Sequence, residues 1–489
     1  MNVLNMKRGK ACRKPFDMGM PAKATDLVRL AIKAGDPYCA AAVHNIATGR
    51  DKRRLEALMF DKRRNTLLLA RWEHTPASVL EAIANSSAGN GDSGVVIRLD
   101  KNPNATAKAL SQLYVGQADV RQLNSDFTVL IAQHLHSPVS VLASIVQLSE
   151  DEQSLKAVSR NPAASAEVLS VLLERMANSK IIGVLYKNLA ENPSTSTELL
   201  DFIYAKGDEY VRAAVIGHAR CSQAVIDESV SDKDVKIMRK LAVNARVSSE
   251  TLVNLAASHD VAVRCGVASN VASPEVLVMR LLLDDSCLVR RAIAARLDLT
   301  AASINALAND KDSWVRQWLA RNPRIPRKVL ERLSVDFEVD VRRAVARNTC
   351  CPVGLLKALA KDQSAWVRSA VAYQHKSPKV VMEALATDNN IDVLSGVANN
   401  PHTPQMILQD LAASPELDIR RGVILNKYAT RKTLLPLLED PYYLHRLMLV
   451  GSVRLKGKDK WSLRDDPDFQ VRFMVFRWMA SRLCESAVR

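Results

Sequence analysis

At 489 residues, with 48% apolar but only 5% aromatic side chains, the chain is too long for one compact core, and its core must be built mainly from Leu, Val, Ile and Ala. No apolar run reaches the length of a membrane span, the basic start "MNVLNMKRGKACRKPFDMGM" lacks an apolar secretory core, and eight scattered cysteines contain no CxxC pair. These features argue against a membrane span and favour free thiols in the cytoplasm over a disulfide framework or a cysteine zinc site. The net charge of +16 is uneven: Lys and Arg exceed Asp and Glu by 9 in residues 1–65 and by 10 in 289–380, while 66–288 is acidic by 5. Two basic regions flanking an acidic stretch are compatible with a polyanionic partner.

In chain order, residues 1–37 read as a basic N-terminal segment, weakly structured up to about residue 24, carrying Lys7, Arg8, Lys10, Arg13 and Lys14. Residues 38–184 hold irregular repeats marked near Tyr38, Asn65, Val95, Phe127 and Ser154, with a loop at "NSSAGNGDSG" (85–94). Residues 185–444 hold regular repeats, and 445–489 terminal capping repeats. The marker is the apolar residue before a recurrent arginine: Leu185, Val211, Ile237, Val263, Val289, Val315, Val341, Val367, Val393 and Ile419, continued by His445 and Val471. Each step is 26 residues, a period that decides the fold.

The repeat has a physical reading. In "VRRAVARN", Val341 and Val345 lie one turn apart on one helix face, and Asn348 ends the segment in a position that tolerates a left-handed conformation. In "IPRKVLERLSVD", Pro326 starts a second helix whose Leu330 and Leu333 are buried. In other repeats Ser or Thr supplies an N-cap. Two such short helices cannot bury their own apolar faces, so neighbours must stack into a solenoid.

The pattern "VRxxVAxNPxTPxxxLxxLAxD" resembles the leucine-rich repeat variant (LRV) family, closely over 185–440 and loosely over 38–184. The resemblance implies an all-α, right-handed superhelical solenoid of about 26-residue two-helix repeats, akin to ARM and HEAT arrays. Some members carry an iron–sulfur domain ahead of the repeats; only Cys12 and Cys39 stand there, so no cofactor is carried over. The recurrent arginines, with acids six residues earlier at Asp284, Asp310, Asp336, Asp362, Asp440 and Asp466, resemble the Asp–Arg ladder of HEAT-type repeats. A planar guanidinium can hold a carboxylate and a backbone carbonyl together. The asparagine slot, with His134 and His218 as substitutes, is structural by the same logic, and adjacent Cys350 and Cys351 are two ordinary thiols.

Positions that vary between repeats are the candidates for binding. Two and six residues after the marker, four apart on one helix face, stand Arg291, Arg321, Arg343 and Arg347. Arg324, Arg327 and Lys328 lie in the adjoining turn, while Trp314 and Trp366 precede the marker and could stack on bases or pack. Trp318 is expected to pack between repeats. No nucleotide-binding, nucleophile or metal signature is present. The leading expectation is therefore a non-enzymatic, monomeric scaffold binding a protein partner. The alternative is a nucleic-acid-binding solenoid using the stripe in 289–380. A DNA glycosylase of the HEAT-like-repeat type ranks behind both, because Asp310, Asp336 and Asp362 fall in the ladder slot and only Asp340 does not. No membrane, metal or cofactor is expected.

Overall fold

The computed structural model describes residues 19–88, 93–115 and 125–488. Lys7, Arg8, Lys10, Arg13, Lys14 and Cys12 lie outside the described residues, as does the centre of the 85–94 loop. Among the described residues every regular element is a helix. The chain forms two compact bodies: a larger one of residues 70–429, and a smaller one that joins residues up to 69 with those from 430 onward.

In the larger body each regular repeat contributes two helices. The helix Ser313–Arg321 is capped by Asp312, whose carboxylate accepts the Trp314 N–H at 2.9 Å, and it buries Val315, Leu319 and Ala320. The helix Arg327–Leu333 follows, burying Val329, Leu330 and Leu333. Pro326 is the N-cap of that helix, with φ −62° and ψ 148°, so it stands one residue outside the position expected. Ser196, Ser248 and Thr300 take the same place elsewhere, each hydroxyl accepting an N–H from the first helical turn.

Asn348 corrects the expectation of a left-handed helix end. Its φ of −63° and ψ of 126° are extended, and no described non-glycine residue has positive φ. The asparagine is required for its side chain instead. Nδ2 donates to the carbonyls of Ala320 at 2.7 Å and Asn322 at 2.9 Å, both in the preceding repeat, while Oδ1 accepts the Cys350 N–H at 2.7 Å. The same pattern recurs at Asn102, Asn161, Asn192, Asn270, Asn400 and Asn426. Gln374, His134 and His218 reach the same carbonyl row with other groups. Arg296 does so with Nη1, anchored by Asp298 at 2.7 Å. An extended corner leaves backbone groups unsatisfied, and the amide of the next repeat satisfies them.

In the regular repeats the first helices pack against one another down the stack and the second helices pack mainly on the first helices around them, whereas the earlier second helices Ala77–Ala88 and Ala107–Val115 pack on each other. Small residues set that spacing. A Cβ placed on Gly266, Gly396 or Gly422 would come within 2.7–2.8 Å of Ala242, Ala372 or Ala398 of the preceding repeat. At these three positions the backbones approach closely because glycine puts no side chain between them.

The smaller body reuses the ladder with one difference. Arg472 Nη1 donates to the carbonyls of Asp466 at 2.7 Å and Pro467 at 3.0 Å, as a ladder arginine should. Its carboxylate partner comes from Asp36, near the other end of the chain, at 2.6 Å from Nη2. Tyr38 stacks on Phe469 with ring centroids 4.2 Å apart, and Pro37–Val43 packs on the C-terminal helix Phe469–Val488. The N-terminal helices thus supply the next repeat to the last arginine.

Two outcomes check these contacts. Asn400→Ala, which removes the bonds to Ala372, Gln374 and His402, is expected to lower stability by about 1–3 kcal/mol in equilibrium urea unfolding. A double-mutant cycle with Arg472→Ala and Asp36→Ala is expected to give a coupling of about 0.5–3 kcal/mol. A coupling near zero would mean that Asp36 does not serve as the last carboxylate of the ladder.

Candidate binding face

Most of the recurrent arginines are committed to the fold. Arg264, Arg290, Arg316, Arg342 and Arg368 each hold the aspartate of the next repeat, Asp284, Asp310, Asp336, Asp362 and Asp388, at 2.7–2.8 Å through Nε. Nη1 of Arg316 donates to the Asp310 carbonyl at 2.8 Å, so one guanidinium joins its own turn to the next repeat. Burial pushes the Asp336 carboxyl up. Arg316, the Glu338 N–H and Arg342 outweigh it and leave the pKa below the usual carboxylate value. These residues are not available to a ligand.

A second set of side chains lies on the exposed face of the first helices. The Arg291 guanidinium is 5.9 Å from the Trp314 ring and 5.8 Å from the Trp318 ring, and Arg321 is 5.5 Å from Trp318. Arg343 is 4.9 Å from the Trp366 ring. Trp314 and Trp366 remain 61% and 60% exposed. Among the described residues neither Arg321 nor Arg347 forms an ion pair. Arg343 has only the exposed Asp340 carboxylate at 4.0 Å, and its buried Nε lacks a hydrogen-bond partner. Burial, then Arg343 and then Arg321, push the Arg347 pKa below the usual guanidinium value. Three cations crowd together with little compensation.

Of the nine residues singled out in sequence, six share this face: Arg291, Trp314, Arg321, Arg343, Arg347 and Trp366. The other three stand apart. Arg324 turns into the corner and donates to the Leu297 carbonyl at 3.0 Å. Arg327 and Lys328 begin the second helix, where Arg327 pairs with Glu331 at 2.7 Å and Lys328 is exposed.

Trp318 belongs to the face as well as to the packing expected of it. It sits three residues after the marker, where neighbouring repeats have Gly266, Ala292, Ala344 and Ala370. Its bulk forms one wall of a groove of about 870 Å³ lined also by Arg239, Asp260, Cys265 and Arg291. A second groove of about 610 Å³, between Lys187, Tyr210, Lys236 and Lys240, shares Arg239 with the first. Together they make the first-helix face a trough across successive repeats. Sequence reasoning passed over this upstream half, although Arg239 stands at the register of Arg291 and Arg343.

The two halves differ in charge balance. Upstream, Arg239 holds Asp260 at 2.6 Å, and that pairing with burial opposing it leaves the Asp260 pKa at about 2. Lys236 lies 3.2 Å from Glu209 and 3.9 Å from the Tyr210 ring. Downstream the cations are largely uncompensated. Among the described residues no group of three His, Cys, Asp or Glu side chains is placed to hold a metal ion, and no helix is long and apolar enough to cross a membrane.

No family model and no curated protein matches the sequence. Among solved structures the chain is similar to a leucine-rich repeat variant with a novel repetitive structural motif, at 25% identity over 50% of this chain and 87% of that one, with a TM-score of 0.31. It is also similar to a chain of the Pds5–Scc1 complex (14% identity, 94% and 74% covered, TM-score 0.18) and to UNC-45 from Drosophila melanogaster (13%, 94% and 63%, 0.15). By its own repeats and ladders, the chain is an α-solenoid repeat protein.

If the face is not needed for folding, neutralising it should be tolerated. Arg321→Gln and Arg347→Gln, which relieve repulsion, are expected to stay within about 0.5 kcal/mol of wild type or to exceed it. Arg316→Gln, which leaves the Asp336 carboxylate without its guanidinium, is expected to cost about 1–3 kcal/mol. Urea midpoints compare the three, and a loss at Arg321 equal to that at Arg316 would assign Arg321 to the fold.

Proposed function

We propose that this protein is a non-enzymatic repeat scaffold that holds an extended, anionic macromolecular partner against its first-helix face. The observation that carries this reading is the cluster of Arg321, Arg343 and Arg347, left without strong carboxylate partners in a chain that elsewhere pairs its recurrent arginines. Like charges at such spacing are unfavourable for the folded state. The fold does not ask for them. The same two registers hold Ala213 and Gly217 in one repeat and Cys265 and Ser269 in another. A rigid, hollowed row of helices offers a long surface whose ordering cost was met on folding.

The reading is tested with two charge-matched triple variants. Arg321→Glu, Arg343→Glu and Arg347→Glu together reverse the face. Arg324→Glu, Arg327→Glu and Lys328→Glu make the same change in net charge beside it. Binding to polyglutamate and to heparin, followed by anisotropy from 50 to 300 mM salt, is expected to weaken at least about ten-fold for the first triple and little for the second. Equal losses in both would mean that net charge alone attracts the polyanion, and the face would then have no role.

A further inference from the structure

We infer that the partner on this face is single-stranded nucleic acid, with unpaired bases stacked on Trp314 and Trp366; this rests on the binding face proposed above. The two indoles occupy the same register, one residue before Val315 and Val367. Each is approached by an arginine from the preceding repeat, Arg291 at 5.9 Å and Arg343 at 4.9 Å, while well over half of its surface stays open. The same device therefore occurs twice, two repeats apart. Ordinary helix packing puts the two indoles about 16–20 Å from each other, the reach of a few nucleotides of extended strand.

Packing does not account for these rings. At the same register other repeats carry Tyr210, Lys236, Ala262, Asp340, Asp392 and Asp418, so no apolar contact is demanded there. Between the two platforms the face presents Arg321, Arg343 and Arg347, and among the described residues no carboxylate other than Asp340 is paired with them. The order along the stack is thus ring, cations, ring. A phosphate chain crossing the cations would release counterions, and each flanking base would find a flat π surface already backed by a guanidinium. An acidic protein segment would use the cations and leave both indoles without a purpose. A duplex keeps its bases stacked on one another and could not offer them to the rings.

The test uses the full-length chain and fluorescein-labelled dT20, rU20 and a 20-base-pair duplex, with polyglutamate as the non-nucleic polyanion. The informative variant is Trp314→Ala with Trp366→Ala, which leaves the charge unchanged and removes only exposed rings. It is expected to weaken dT20 and rU20 binding at least about ten-fold while leaving polyglutamate binding as in wild type. Wild-type protein is expected to prefer both single strands over the duplex, and tryptophan emission should be quenched as dT20 is added. Single-strand binding unaffected by the double variant, or a preference for duplex, would overturn the inference. The binding-face reading would still stand in that case if the Arg321, Arg343 and Arg347 triple lost polyglutamate. If that triple bound every polyanion as wild type does, the binding face itself would be wrong, and the inference with it.

Discussion

The side-chain amide that each repeat extends into the backbone of the one before it is the interaction on which this architecture depends. A two-helix unit of 26 residues must turn sharply twice, and each turn breaks the helical hydrogen-bond ladder. At the first corner the buried Asn348 amide closes the account, with two bonds to the preceding repeat and one to its own turn. Because the bonded carbonyls belong to a neighbour, no repeat is complete alone. Cooperativity between adjacent units is built into the corner, and apolar stacking of Val341, Val345 and their equivalents adds to it.

The Arg–Asp ladder performs the complementary task at the other corner, and it also sorts the charge of the molecule. A guanidinium that holds a carboxylate in the next repeat and a carbonyl in its own turn has few donors left for a ligand. The charge of the ladder arginines is neutralised in this way and says nothing about partners. Outside the ladder, Arg321, Arg343 and Arg347 stand close together on the first helices without strong carboxylate partners among the described residues. The acids Asp392 and Asp418 take the register of the two tryptophans in the repeats that follow, which bounds the basic face on that side.

Much of this was legible in the residues because a solenoid writes its contacts at a fixed period. Markers at 26-residue steps located the helices, and the recurrence of arginine and asparagine separated joints from variable surface. Three things were not legible. The conformation of Asn348 was misjudged because its partners lie in the preceding repeat, and local helix-end preferences carry no record of them. The pairing of Arg472 with Asp36 joins residues 436 apart, outside any period. Sequence alone places Arg324, Arg327 and Lys328 in the turn beside Arg321 without deciding whether they join its stripe. The chain turns a corner at Asn322, and that corner sends them elsewhere.

The separation of joint positions from face positions also explains how such a scaffold can acquire a ligand at little cost to its fold. Substitutions at the marker, at the ladder arginine or at the asparagine corner would disturb two repeats at once. Substitutions one residue before the marker or six after it touch mainly solvent, and most of those two after it stand half-buried or buried against one neighbour. Tryptophan, arginine, alanine, serine and aspartate all occur at those registers without changing the helices beneath them. Trp318 marks the limit of that freedom: it lies at the register where glycine and alanine let the backbones meet, and its ring opens part of the groove it lines. The face is therefore shaped by one intrusion into the packing row and charged by residues that the packing row does not restrict.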